Sequence, residues 1–457
     1  MGWTRWCRVF ASGAIIACAP LAHAQLPNVQ LPRVEVPVAV TETVTDTVGG
    51  VTGRLGVDRL ADLRRLRVRE LLQIQRDRVE RDPAGQPILR AEIVSLSPSE
   101  EAVQRARDAG FEIARQRVLE GLDERVIVLR APEGMSVRRA LRRLRELDPG
   151  GSYDYNHLYM GSGVVAGMQG LIALTASEEA SAGSSGSGAS ASGAPRLKVG
   201  LVDGGIDLTH PVFKDAVIHQ YGCDGRPVPS VHGTAVASLI VGKSEPFNGA
   251  APGAELFAAD VYCGLGTGGA ADAVVDAIAW IARERAPVIN VSLVGPRNVL
   301  LENVVRLVIA RGFVVVAAVG NDGPAAPPLY PASYPDVVGV TGVDARRKVL
   351  VEAGRGRQVD FAAPGADMAA AMLSPTFAAV RGTSFAAPIV TGLLARGLHV
   401  PDREEASRAI ALLTGQAVDL GSRGFDRTYG NGLVGEAVRA QSAQALVGVA
   451  PTAGASY

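Results

Sequence analysis

Arg381-Gly382-Thr383-Ser384-Phe385-Ala386-Ala387-Pro388 sets a serine between a Gly-Thr turn and an alanine-rich run suited to starting a helix. The first backbone N–H groups of a helix have no partner within it. A hydroxyl placed there stands among donors suited to charge developing on an oxygen. Two upstream segments carry groups that such a serine needs. Val199-Gly-Leu-Val-Asp203-Gly-Gly-Ile-Asp207 reads as a buried strand ending in an acid, and His232-Gly-Thr-Ala-Val-Ala237 as a helix opening with a histidine. Taken singly, each has an ordinary structural role: an acid after a strand is often a turn residue, and histidine and serine both cap helices. The weight lies in the three occurring together.

The chain has 457 residues, with 46 basic and 46 acidic side chains, and 47% of its residues are hydrophobic. That length accommodates more than one domain and a sizeable core. Zero net charge argues against a nucleic-acid-binding or membrane-surface protein. Arg5 and Arg8 precede a mostly apolar Val9–Leu21 and the small-x-small Ala22-His23-Ala24. Residues 1–24 therefore read as an export signal, and the chain is expected to be secreted or periplasmic. The apolar run is short for a membrane span, and no other run qualifies. Ile15-Ile16-Ala17-Cys18 supports a second reading, a bacterial lipoprotein box with a lipid anchor on Cys18, and both stand at this point. Cys7 and Cys18 lie in the signal, which leaves Cys223 and Cys263. In an exported protein that pair suggests one disulfide, the alternative being two buried thiols.

Residues 25–87 combine a Val/Thr/Pro-rich extended arm with an Arg-rich stretch, Val57 to Arg81. Leu60, Leu63, Leu66, Val68, Leu71, Leu72 and Ile74 in that stretch predict an amphipathic helix. Interleaved Asp62, Glu70, Asp77 and Glu80 make its charged side a solvated face more than a nucleic-acid contact. Residues 88–160 alternate as βαββαβ: strands at Ile88–Leu96, Phe111–Leu119, Arg125–Arg130 and Tyr153–Met160, and helices at Ser99–Gly110 and Ser136–Leu147. That order implies a small ferredoxin-like α+β domain. Residues 161–195, nearly all Ala, Ser and Gly from Ala176 on, read as a flexible linker. Residues 196–440 alternate Val-rich strands with helices, which predicts a mostly parallel, doubly wound α/β sheet covered on both faces. In such sheets sites form beyond the C-terminal strand ends, where Asp203 and Asn321 fall. Residues 441–457 are a tail.

The acid, histidine and serine, in that order and in those settings, resemble the subtilisin-like serine proteases (subtilases, peptidase family S8). The likeness covers roughly residues 196–440. It implies that Ser384 attacks a peptide carbonyl, His232 takes its proton, and Asp203 orients the imidazole. Asn321, in Ala317-Ala-Val-Gly-Asn321-Asp-Gly323, would donate to the oxyanion beside the Ser384 backbone N–H, although Asn-Asp-Gly alone is also a plain turn. Leu265, Gly266, Thr267 and Gly268 resemble one edge that pairs with an extended substrate. Ser292, Leu293, Val294 and Gly295 resemble the opposing edge. The partners implied are extended peptides or proteins, held largely by main-chain hydrogen bonds. The small domain's order and position resemble the family's inhibitory prodomains, so the resemblance implies an autoprocessed zymogen, cut between Gly150 and Arg196, with its own prodomain as inhibitor. A monomer is expected. No cofactor is needed for the chemistry. Family members often hold structural calcium through loop oxygens, and no loop here displays such a site or a zinc pattern.

Three positions depart from the family's pattern. Ala235 stands where a second histidine is usual. Val294 replaces a glycine in the substrate-binding strand, which implies a narrowed pocket and a preference for small or modest residues before the cut. Phe385 replaces the common methionine after the nucleophile, which implies peroxide tolerance. Two other readings compete: a non-enzymatic binder that keeps the fold, against which the intact Asp203, His232, Ser384 and Asn321 speak, and a serine esterase, whose Gly-x-Ser-x-Gly elbow is absent around Ser384.

Overall fold

The computed structural model describes residues 66, 68–161, 163–165, 196–245, 247–265, 268–373 and 375–439. The expectations for the signal, the arm, most of the linker and the tail lie outside these residues.

The first described domain consists of β1 (Val79–Arg81), β2 (Pro87–Leu96), α1 (Glu100–Asp108), β3 (Glu112–Leu119), β4 (Glu124–Arg130), α2 (Val137–Leu147) and β5 (Tyr153–Gly161). Ser99 caps α1, its Oγ accepting from Ala102 N–H at 3.1 Å. The strands lie in the antiparallel order β5-β2-β4-β3, the ferredoxin-like arrangement, with β1 added along β2. β4 explains how this domain sits. Val126 and Val128 face one side and join a core shared with the larger domain; Ile127 and Leu129 face the other and pack on α1 and α2. A run of four apolar residues without alternation marks a strand covered on both faces.

The helix expected over Val57–Arg81 is shorter where it can be seen. Residues 68–74 are helical, and Val79–Arg81 form β1 instead. The cause is the Asp82-Pro83-Ala84-Gly85 turn: Asp82 Oδ1 accepts from Ala84 N–H at 2.8 Å and Gln86 N–H at 2.7 Å, folding β1 back on β2. The segment taken as linker also begins later than expected. Gly161 belongs to β5, and Val164–Val165 form β6.

The larger domain runs β7 (Lys198–Asp203), β8 (Val217–Tyr221), α3 (Val231–Val241), β9 (Glu255–Asp260), β10 (Gly269–Ala270), α4 (Ala271–Arg283), β11 (Val288–Val291), β12 (Leu293–Val294), α5 (Val299–Ala310), β13 (Val314–Ala318), β14 (Val338–Val343), β15 (Phe361–Pro364), β16 (Met368–Ala371), β17 (Phe377–Arg381), α6 (Thr383–Ala395) and α7 (Arg403–Gln416). Seven of its strands form one parallel sheet in the order β15-β14-β13-β11-β7-β9-β8. Along β13, Val314, Val316 and Ala318 pack with α3 and α6 on one face, and Val315 and Ala317 with α4 and α5 on the other. This is the doubly wound α/β fold that the strand composition predicts.

The small domain's sheet rests on α4 and α5. Arg115 ties its own Glu92 (2.6 Å) to Asp272 of α4 (3.1 Å), while the Asn156 amide donates to both carboxylates. Paired to two carboxylates, the Arg115 guanidinium is held charged well beyond its ordinary range even though burial opposes this.

Candidate active site

Asp203 ends β7 between the central neighbours β9 and β11 and is fully buried. Its Oδ1 also accepts from Gly204 N–H at 2.7 Å. α3 begins directly across from it, with Ser230 Oγ capping Gly233 N–H at 2.9 Å. Gly233 permits the close approach: a Cβ there would lie 2.3 Å from Gly204 O. The His232 ring consequently meets Asp203, its Nδ1 lying 2.9 and 3.0 Å from the two carboxylate oxygens. That bond fixes the tautomer, leaving Nε2 to accept. Among the described residues Nε2 is buried and hydrogen-bonded to nothing.

Ser384 is the second residue of α6, whose N-cap Gly382 has φ +140°. Its side chain is buried, and Oγ donates to Ser292 O at 3.2 Å, while Ser292 Oγ donates back to Ser384 O at 3.0 Å. The next residue, Phe385, sets its ring 5.4 Å from the His232 ring. Asn321 follows β13, and its Oδ1 accepts from Thr383 N–H at 3.1 Å. The amide oxygen is thereby committed, and the NH2 group is the end left to donate.

Of the proposed substrate contacts, Leu293 and Val294 are paired in a ladder, Ser292 holds the Ser384 backbone, and Gly295 bridges Tyr330. Val294 is buried and converges with Leu329 on Gly320: a Cβ there would be 3.6 Å from Val294 Cγ1 and 2.5 Å from Leu329 Cδ1. On the other edge Gly266 and Thr267 lie outside the described residues, Leu265 is exposed, and Gly268 lies against Tyr159 O. Among the described residues, Gly269 and Ala270, next to that segment, pair on this edge. Ala235, in place of a second histidine, is fully buried core.

What lies in the cleft is the chain itself. β5 pairs antiparallel with β10 on one side (Tyr159 with Gly269, Leu158 with Ala270) and with β12 on the other (Gly161 with Leu293, Met160 with Val294). Past the serine, β6 pairs antiparallel with β17, Val164 with Arg381 and Val165 with Val380. The β17 edge was missed in the sequence. Its signal is the run Phe377–Arg381 leading straight into the serine motif.

Cys223 and Cys263 form a disulfide between residues 40 apart, joining the loop before α3 to the loop before β10. Asp260 beside it accepts from Val228, Tyr262 and Cys263 N–H at 2.9 Å each. Among the described residues this trio is the one cluster with metal-ligand geometry, and both its thiols are taken by the disulfide.

Residues 195–432 match the model of the Subtilase family, peptidase S8. Subtilisin DY of Bacillus licheniformis is 32% identical over 259 residues, 54% of this chain and 91% of its own. Subtilisin E of Bacillus subtilis (strain 168) is 31% identical over 259 residues, 54% of this chain and 66% of its own. The crystal structure of fervidolysin from Fervidobacterium pennivorans superposes with a TM-score of 0.60 at 20% identity, over 80% of this chain and 62% of that one. Its shared fold reaches well beyond the span of the family match. The chain belongs to the subtilase family of serine-type endopeptidases. Among the described residues, no helix is long and apolar enough to cross a membrane.

Proposed function

We propose that this chain is an exported endopeptidase made as a zymogen, with Asp203, His232 and Ser384 as its catalytic triad. In this reading Ser384 Oγ adds to the substrate carbonyl and its proton passes to His232 Nε2. Asp203 stabilises the imidazolium, and the Asn321 amide and the Ser384 backbone N–H hold the oxyanion. The amine leaves with the proton, and water releases the acyl group. The observation that carries the proposal is the Asp203–His232 contact at 2.9 Å, with the His232 ring against Phe385, which follows the buried Ser384 at a helix N-terminus, and an extended strand of the chain between two sheet edges.

The same strand supports the inhibitory role of residues 88–160: β5 fills the position a product would take. The basic, then apolar, then small-x-small start of the chain supports export.

A fluorophosphonate probe tests the nucleophile. Labelling that is lost in Ser384→Ala, together with casein hydrolysis by the wild type alone, is the expected result. A correctly folded wild type that neither labels nor cleaves would sink the reading.

A further inference from the structure

Asn290 is an amide in the middle of an apolar strand. β11 reads Val-Ile-Asn-Val and lies between β7 and β13, and Asn290 is fully buried. It shares a face with Val288, toward α3 and α6, while Ile289 and Val291 face the other side of the sheet. A polar side chain in such a place is costly unless both of its ends are partnered. Here they are. The amide nitrogen lies 2.8 Å from Ser292 Oγ, and the amide oxygen 3.0 Å from Thr391 Oγ1 of α6. Ser292 Oγ lies in turn 3.0 Å from the Ser384 carbonyl oxygen. Ser292 and Thr391 are fully buried as well.

One residue fixes the direction of these bonds. In a regular helix the Ser384 carbonyl would accept from the N–H four residues on, but that residue is Pro388, which has none. A carbonyl can only accept, so Ser292 Oγ donates to it. With its proton committed there, Ser292 Oγ accepts from the Asn290 NH2 group. The Asn290 oxygen is left facing Thr391, whose hydroxyl donates. Thr391 shares that proton with the Ala387 carbonyl, also at 3.0 Å, one turn earlier in α6. The chain of bonds thus begins and ends on α6, at its second residue and about two turns later. It ties the helix to β11 and to the start of β12. Thr383 is held separately, by Asn321 Oδ1 at its N–H and by the Gly320 N–H at its hydroxyl.

We propose, on the basis of the proteolytic reading above, that Asn290 and Thr391 are positioning residues for the nucleophile, acting through Ser292. In that reading Ser384 supplies two of the reacting parts, Oγ and the backbone N–H for the oxyanion. Both stand where the first turn of α6 stands. Pro388 takes away the ladder bond that would hold the Ser384 carbonyl, and the neighbouring strand holds it instead. Without the Asn290 amide, Ser292 Oγ loses the donor that turns its proton toward that carbonyl, and its hydroxyl is free to rotate. The Ser384 peptide then moves, and a displacement of about 1 Å in a reacting group costs on the order of 10²-fold in rate. Main-chain pairing of an extended peptide with β10 and β12 does not pass through Asn290, so the loss falls on kcat.

Steady-state kinetics on a chromogenic peptide test this with enzyme matured from the full chain, the competent sites being counted by the burst from a nitrophenyl ester. Asn290→Ala should lower kcat per competent site about 10- to 100-fold with KM within about twofold. Thr391→Val keeps the shape and removes the hydroxyl, and should lower kcat about 3- to 10-fold. Thr391→Ser should restore it. In a Ser292→Ala background, Asn290→Ala should cost little more, because its route to Ser384 is already gone. If Asn290→Ala yields no folded enzyme, the two Thr391 variants decide alone. Wild-type kcat per site in the variants, or a loss confined to the number of competent sites, overturns the proposal and leaves the proteolytic reading intact. An equal loss in Thr391→Val and Thr391→Ser, or full additivity with Ser292→Ala, overturns it in the same way. A folded wild type with neither burst nor cleavage overturns both.

Discussion

Asn321 and Phe385 show how single positions set the behaviour of the site. With the Asn321 oxygen committed to Thr383 N–H, only its NH2 group is left for the substrate. Asn321→Ala should lower kcat by about 10²–10³ with KM nearly unchanged, a size of effect carried over from a subtilisin. Steady-state kinetics on a peptide would check it, and a loss confined to KM would contradict it. Phe385 puts a phenyl ring where a thioether would oxidise. Activity should survive peroxide, and rapid inactivation traced by mass to the residues around Ser384 would count against this. Asp360 lies apart from the site. Burial raises its carboxyl from 3.8 to about 6, against the opposing pull of the Gly339 N–H it accepts at 2.7 Å. Between those two pH values the folded chain holds a proton that the unfolded chain has lost, so stability falls as pH rises through the window and stays lower above it. Asp360→Asn should therefore stabilise the protein at pH 8 by on the order of 1 kcal/mol, with the gain fading toward pH 4. Urea melts in a Ser384→Ala background read this directly, and an equal gain at both pH values would refute the assignment.

At the scale of elements, β5 serves two helices of its neighbour. Asp154 Oδ2 accepts from Val299 N–H at the start of α5 (2.8 Å), and Asn156 Oδ1 accepts from Asp272 N–H in the first turn of α4 (3.3 Å). The N-cap position of α4 is Ala270, which offers no side-chain cap. Asp154→Ala should weaken the hold of the severed small domain by about 1 kcal/mol, roughly a fivefold faster release. The rate at which activity emerges after processing measures it; an unchanged rate would show that the cap is idle. The element level was also where the sequence was most readable. Strand alternation, the Ser99 cap and the βαββαβ order were visible because each is local. What escaped was pairing across distance. Nothing in Val79–Arg81 announces that an Asp82 turn converts a helical period into a strand. The pairing of Val164–Val165 with β17 depends on a partner more than 200 residues away.

On the scale of the whole molecule, the Asp203, His232, Ser384 and Asn321 segments were legible because each requires a particular local backbone: a strand end, two helix starts and a turn. The family resemblance already pointed to the strand near Tyr153–Met160 as the cleft's occupant, but its registers against β10 and β12 are defined only by the folded chain. The Cys223–Cys263 bridge closes a loop of about 40 residues around the start of α3 and the β9 strand. Replacing both cysteines by serine in a Ser384→Ala background should cost about 2–4 kcal/mol in urea unfolding. No measurable loss would mean that the loop is held by its other contacts.

The small domain turns Val94, Leu119, Val126 and Val128 of its strands toward its neighbour, into the shared core and not at their own helices. Once cut free and displaced, that domain would carry a bare greasy sheet face into water. It would tend to unfold, clump or be digested, and each of these removes it from the equilibrium that could return it. In the zymogen reading proposed above, activation would then be a ratchet, in which the departing piece is spoiled by its own release and the cleft has no intact inhibitor left to rebind.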